Sequence, residues 1–173
     1  MYRHCAIPEP VFGDWSSPDR SPIAFRRAKE ALDYDLLPPE IIREARAAYY
    51  GLITQIDYNL GRILSALQDL NLLENTLIIF TSDHGEYLGD HHACSKIFFH
   101  EVSARVPFVL RMPRTWKHRC FGKEVKGLVT HADILPTLIA AAGGKIPEES
   151  DGLDLVRLAR GEIEGRSHLE GAA

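Results

Sequence analysis

The chain has 173 residues, 45% of them hydrophobic and 25% charged, the balance of a globular domain with enough apolar material for a core. Twenty Lys and Arg against 24 Asp and Glu leave a net charge of -4, which argues against a general nucleic-acid or acidic-membrane binder. No apolar run nears the ~18 residues of a membrane span, the first ten residues hold no signal-peptide core, and Cys5, Cys94 and Cys120 form no CxxC pair. The composition therefore points to a soluble, cytoplasmic α/β protein without a disulfide framework.

Residues 1–38 read as an irregular Pro-rich arm. Prolines at positions 8, 10, 18, 22 and 38 break any long element, and helical material is confined to about 23–32. From Pro39 the pattern changes, and residues 39–173 read as one α/β region. Ile41, Ala45, Leu52, Ile53, Ile56, Leu60, Ile63, Leu64 and Leu67 recur at spacings of three and four, one apolar stripe on a helix over 39–70. At 1.5 Å per residue that helix is roughly 45 Å long, enough to brace the face of a sheet. Asp57 shares the side of Ile53 and Leu60 and is expected to be partly buried.

A turn over 71–75 leads into the apolar run TLIIFT (76–81), expected to be a buried strand, parallel because it follows a helix. A polar, His-rich loop follows over 82–96. Further strands are expected over 107–111 and 123–130. A helix over 132–142, with His131 or Asp133 near its start, stops at Gly143 and Gly144, and a short helix over 153–160 completes the pattern.

The chemistry concentrates in TSDHGEYLGDHH (81–92). Asp83 and His84 fall just past the C-terminal end of a strand, where the loops of open α/β sheets splay apart and bind ligands. A carboxylate oxygen and an imidazole nitrogen side by side can reach one divalent cation. Gly85 lets the backbone turn away, Glu86 and Asp90 add negative charge nearby, and Lys96 brings a cation. A metal and a lysine together suit an oxyanion substrate: one polarises an oxygen, the other binds a second oxygen or the leaving group. The bland alternative is a turn with solvated histidines at His91 and His92.

Five ordered blocks decide between these readings. YYGLITQIDYNLGRIL (49–64), NTLIIFTSDHGE (75–86) with Gly89, Asp90, His91 and Lys96, then RVPFV (105–109), THADILPTL (130–138) and DGLDL (151–155) resemble the sulfatase family of the alkaline-phosphatase-like superfamily. The resemblance implies a partial alkaline-phosphatase-like sandwich, a mostly parallel sheet flanked by helices, represented by the C-terminal half of the catalytic domain. It implies that Asp83 and His84 are metal ligands, that Lys96 is a catalytic and substrate-binding contact to the transferred sulfate, and that His91 supports the loop. His4, ahead of Pro8 and Pro10, faintly echoes an upstream substrate-binding histidine. Asp133 and His131 match a segment that is mainly architectural, where a capping or core-edge role is expected rather than catalysis. Calcium is the metal the resemblance implies, with manganese or zinc compatible with a histidine ligand.

The family's nucleophile is a formylglycine made from Cys or Ser in a Cys/Ser-x-Pro-Ser-Arg motif, and none of the three cysteines stands in that context. SSPDR (16–20) fits only superficially and lies too near Asp83 for the family order, so the nucleophile is not encoded here. Three readings stand: a sulfuric ester hydrolase represented by its metal-binding part, a phosphonate or phosphate ester hydrolase of the same superfamily, or a catalytically inactive truncated module. The implied partners are a small-molecule sulfate or phosphate ester, and either a missing N-terminal half or a second copy of the chain. Neither nucleic acid nor a membrane is expected.

Overall fold

The computed structural model describes residues 1–13, 23, 37–96 and 98–168. SSPDR (16–20), and all but Ile23 of the helix expected over 23–32, lie outside them. The chain divides into two units, Met1–Ala66 with Ser82–Pro107, and Leu67–Thr81 with Phe108–Ala173.

Helix α1 spans Pro39–Asp69, as the apolar periodicity predicts. The Pro38 carbonyl accepts from the N–H groups of Ile41 and Ile42, and Glu40 sits in the positively polarised first turn. The stop comes at Asn71, whose left-handed backbone (φ 56) lets the Leu72 N–H return to the Leu67 carbonyl. The stripe itself is largely uncovered among these residues. Leu52, Ile53, Ile56 and Ile63 are all exposed and only Ala47 of the helix is buried. Asp57 is consequently exposed too, contrary to the expectation of partial burial, because no packed face surrounds it.

In the first unit, residues 82–96 form a loop seated on helix α2 (Glu101–Ala104). Gly85 N–H donates to the Ser103 carbonyl at 2.7 Å and Glu86 N–H to the Val102 carbonyl at 3.0 Å. Tyr87 and Ala93 form the buried centre, with Phe98 and Val102 packed against them.

The second unit holds strands β1 (Ile78–Thr81) and β2 (Phe108–Arg111). They pair antiparallel, Ile78 opposite Arg111 and Thr81 opposite Phe108. This corrects the expected mostly parallel sheet: among the described residues the sheet has these two strands only. The connection between them carries a one-turn helix rather than a crossover helix that would return the chain to enter β2 in the same direction. With one neighbour each among the described residues, β1 is half-buried throughout and β2 half-buried except at the exposed Val109. The strand expected over 123–130 reduces to a single bridge, Leu128 to Arg166.

Helices α3 (Ile134–Ala141) and α4 (Leu155–Arg160) follow close to their expected positions. Asp133 and Thr137, both fully buried, lock the segment before α4 onto α3. Asp133 accepts from Thr130 N–H in a capping box, from Leu153 N–H at 2.7 Å, and from both terminal nitrogens of Arg166. Thr137 Oγ1 donates to the Asp133 carbonyl and accepts from Leu155 N–H. The THADILPTL and DGLDL blocks are thus two sides of one polar lock, and His131 stays exposed.

Candidate functional site

Asp83 and His84 follow directly on β1, and the loop after them brings Lys96 back to the same point. Lys96 Nζ lies 2.5 Å from His84 Nε2, and Asp83 Oδ2 lies 3.2 Å from the same nitrogen. The tautomer of His84 follows from its other partner. Nδ1 is 2.7 Å from the Gly85 carbonyl, which can only accept, so the ring proton sits on Nδ1 and the Nε2 lone pair faces outward. Lys96 then donates to Nε2. Two lone-pair donors 3.2 Å apart repel unless positive charge lies close by, and the Lys96 ammonium lies against one of them, His84 Nε2.

Asp83 is exposed and ionises readily. The His84 N–H donating to its Oδ1 holds its carboxyl below the usual carboxylate range against the opposing effect of desolvation, with His84 and Ser82 adding to the lowering. As a donor set for a metal, the pair fits in part. Oxygen and nitrogen ligands on one divalent cation at about 2.1–2.4 Å lie about 3 Å apart when adjacent, close to the separation seen. Among the described residues, however, no group of three or more His, Cys, Asp or Glu side chains could hold a metal ion.

The remaining acidic residues of the loop do not face this point. Glu86 Oε1 accepts from Leu88 N–H and, in a short contact, from Ser95 N–H. Asp90, buried, accepts from Val11 N–H at 3.0 Å and from Arg46 at 3.1 Å. Arg46 also donates to the Leu88 carbonyl. The loop tip is thereby pinned between the N-terminal arm and α1, with the Phe12 ring stacked on His92 at 4.1 Å between centroids. Gly89 (φ 95) is tightest there, since a Cβ would come within 2.6 Å of Ile42. His91 lies in this tip, its N–H on the Val11 carbonyl and its ring 5.4 Å from that of His100.

Tyr87, Arg46 and His100 carry no signal in the sequence as parts of this region. Tyr87 is 1% exposed, and its hydroxyl is hydrogen-bonded to His100 Nδ1. Burial pushes its phenol up to about 12, and burial together with His91 lowers His100. Both rings are therefore neutral near neutral pH. His4 is exposed in a turn closed by Cys5 N–H on the Tyr2 carbonyl, and no hydrogen bond ties it to Asp83, His84 or Lys96. Burial pushes the Cys94 thiol up, away from the reactive thiolate. A separate cavity of about 570 Å³ lies in the second unit, lined by apolar groups such as Leu110, Met112 and Leu158; none of the three convergent residues belongs to it.

A model of the Sulfatase family matches residues 11–144. An arylsulfatase of Clostridium perfringens (strain 13 / Type A) is 37% identical over 156 residues, 90% of this chain and 32% of that protein. The multifunctional alkaline phosphatase superfamily protein PehA of Trinickia caryophylli is 43% identical over 115 residues, 66% of this chain and 22% of its own length. Among solved structures, a phosphonate monoester hydrolase from Silicibacter pomeroyi superposes with a TM-score of 0.75 at 28% identity, over 95% of this chain and 33% of its own. The chain thus spans about a third or less of the relatives it matches. The family match covers well over half of the chain, and the protein belongs to the sulfatase family, within the alkaline-phosphatase-like superfamily.

Proposed function

We propose that this chain supplies the metal-and-oxyanion wall of a sulfatase-type hydrolase acting on small-molecule sulfuric esters. The approach of Asp83 Oδ2 and Lys96 Nζ to the same atom, His84 Nε2, at 3.2 and 2.5 Å carries the reading. Asp83 and His84 would hold a divalent cation, calcium first and manganese or zinc as alternatives, with further donors from outside the described residues. Bound there, the cation would supply Lewis-acid polarisation of an ester oxygen. This chain's own part is orientation and charge. Gly85 keeps the His84 proton on Nδ1, Asp83 stays ionised, and Lys96 would be the residue to bind a sulfate oxygen beside them.

Phosphonate or phosphate esters are the second reading. It is favoured by the structural likeness to the phosphonate monoester hydrolase from Silicibacter pomeroyi. Calorimetric titration of the chain with calcium and manganese, then with sulfate or phosphate, tests both. Metal binding that is lost in Asp83→Asn and His84→Ala, and anion binding weakened about tenfold in Lys96→Ala, is the expected outcome. Metal binding unchanged in both ligand variants would overturn the reading, and preference for phosphate over sulfate would favour the second. With the nucleophile not encoded, no turnover of 4-nitrophenyl sulfate by the chain alone is expected.

A further inference from the structure

Glu86 reads in the sequence as extra negative charge beside a cation, but its carboxylate is used otherwise. One oxygen, Oε1, accepts from both the Leu88 and the Ser95 N–H. Tyr87 N–H donates to the Ser95 carbonyl at 3.1 Å, and Gly89 N–H reaches the Ala93 carbonyl at 2.8 Å. These bonds close residues 86–95 into a ring of chain, and Lys96 leaves it at the next residue. His84 stands two residues before the clasp, held from the other side by Gly85 and Glu86 N–H groups on α2. Ser95 itself has φ 69, in the left-handed region that a residue with a Cβ enters at a cost. A hydrogen bond to its N–H offsets that cost and sets the direction in which the chain delivers Lys96.

We infer that Glu86 is a positioning residue: its carboxylate oxygen clasps the Ser95 N–H and so holds Lys96 against His84. The inference rests on the reading of Lys96 as the oxyanion contact for its functional meaning, while the clasp stands on geometry alone. Both bonds fall on a single oxygen, so the role requires an acceptor rather than a net charge. A glutamine can fill it and an alanine cannot.

The test uses the full chain as wild type, Glu86→Gln and Glu86→Ala. Proton NMR reads the nuclear Overhauser contact between the Lys96 ε-methylene and the His84 ring, and calorimetry reads sulfate affinity in the presence of calcium. The contact is expected in the wild type and in Glu86→Gln and lost in Glu86→Ala, with sulfate bound about tenfold more weakly by the last. Should Glu86→Ala not fold, hydrogen exchange in the wild type still decides, since the Ser95 amide is expected to be protected. An unprotected Ser95 amide, a contact that survives in Glu86→Ala, or its loss in Glu86→Gln would each overturn the clasp. Loss of the contact with unchanged sulfate affinity would uphold the clasp and overturn Lys96 as the anion contact.

Discussion

Asp133 shows how one side chain can organise a segment of the fold. It is completely buried yet ionised: burial raises its carboxyl, but the Arg166 side chain and the N–H groups of Leu153 and Thr130 outweigh this and leave it below the ordinary value. The sign of the pH dependence follows. A carboxylate with a lowered folded pKa adds stability that is fully present above the unfolded value of about 3.9 and lost as pH falls through the folded value. Urea unfolding is therefore expected to show stability dropping below about pH 4. Arg166→Met leaves the carboxylate buried without its cation and should cost about 3–5 kcal/mol at neutral pH. Its acid slope should also flatten, because the group that depresses Asp133 is gone. The architectural role expected for Asp133 is legible in THADILPTL, since a Thr followed three residues later by Asp reads as a helix start. Its partner Arg166, 33 residues away, is not, because nothing local marks which arginine a buried acid will meet.

At the scale of elements, the loop after β1 depends on how closely it lies on α2. A Cβ at Gly85 would stand 1.9 Å from the Val102 carbonyl oxygen, a backbone atom that cannot swing aside. Gly85→Ala should consequently lift the loop, breaking the Gly85 and Glu86 hydrogen bonds and destabilising the protein by about 2–3 kcal/mol in denaturant titration. An unchanged midpoint would show that the loop does not need this contact. The sequence reading took Gly85 as a sharp turn, and the position is indeed special, but the reason lies in its neighbour rather than in its own dihedrals. Asp90 is similar: its place in the GDH triplet was visible, and its partners Val11 and Arg46 were not. Both lie far off in the chain, and a hydrogen bond over such a separation leaves no periodic trace.

For the molecule as a whole, the uncovered stripe of α1 is a large apolar surface among the described residues. Ile56 is 55% exposed and Leu52 60%, on a helix whose apolar spacing is that of a packed one. The chain should enhance the fluorescence of 8-anilinonaphthalene-1-sulfonate, and Ile56→Lys with Ile53→Lys should reduce that enhancement by about half or more. An equal signal from the double variant would place the apolar surface elsewhere. No helix among the described residues is long and apolar enough to cross a membrane.

The sequence by itself determined what is set within a few turns of chain. It determined α1 from its three-and-four spacing, the stops at Asn71 and Gly143, the strand before Asp83, and the placing of Asp83, His84 and Lys96 on one short loop. These follow from steric and hydrogen-bonding preferences that act between near neighbours. Only the tertiary structure decided that β1 and β2 run antiparallel, that Glu86 and Asp90 serve the loop instead of facing Asp83, His84 and Lys96, and that Asp57 lies in solvent. Each of those depends on which distant group arrives opposite a given atom. A burial pattern states that a face will be covered; it does not carry the identity or direction of what covers it.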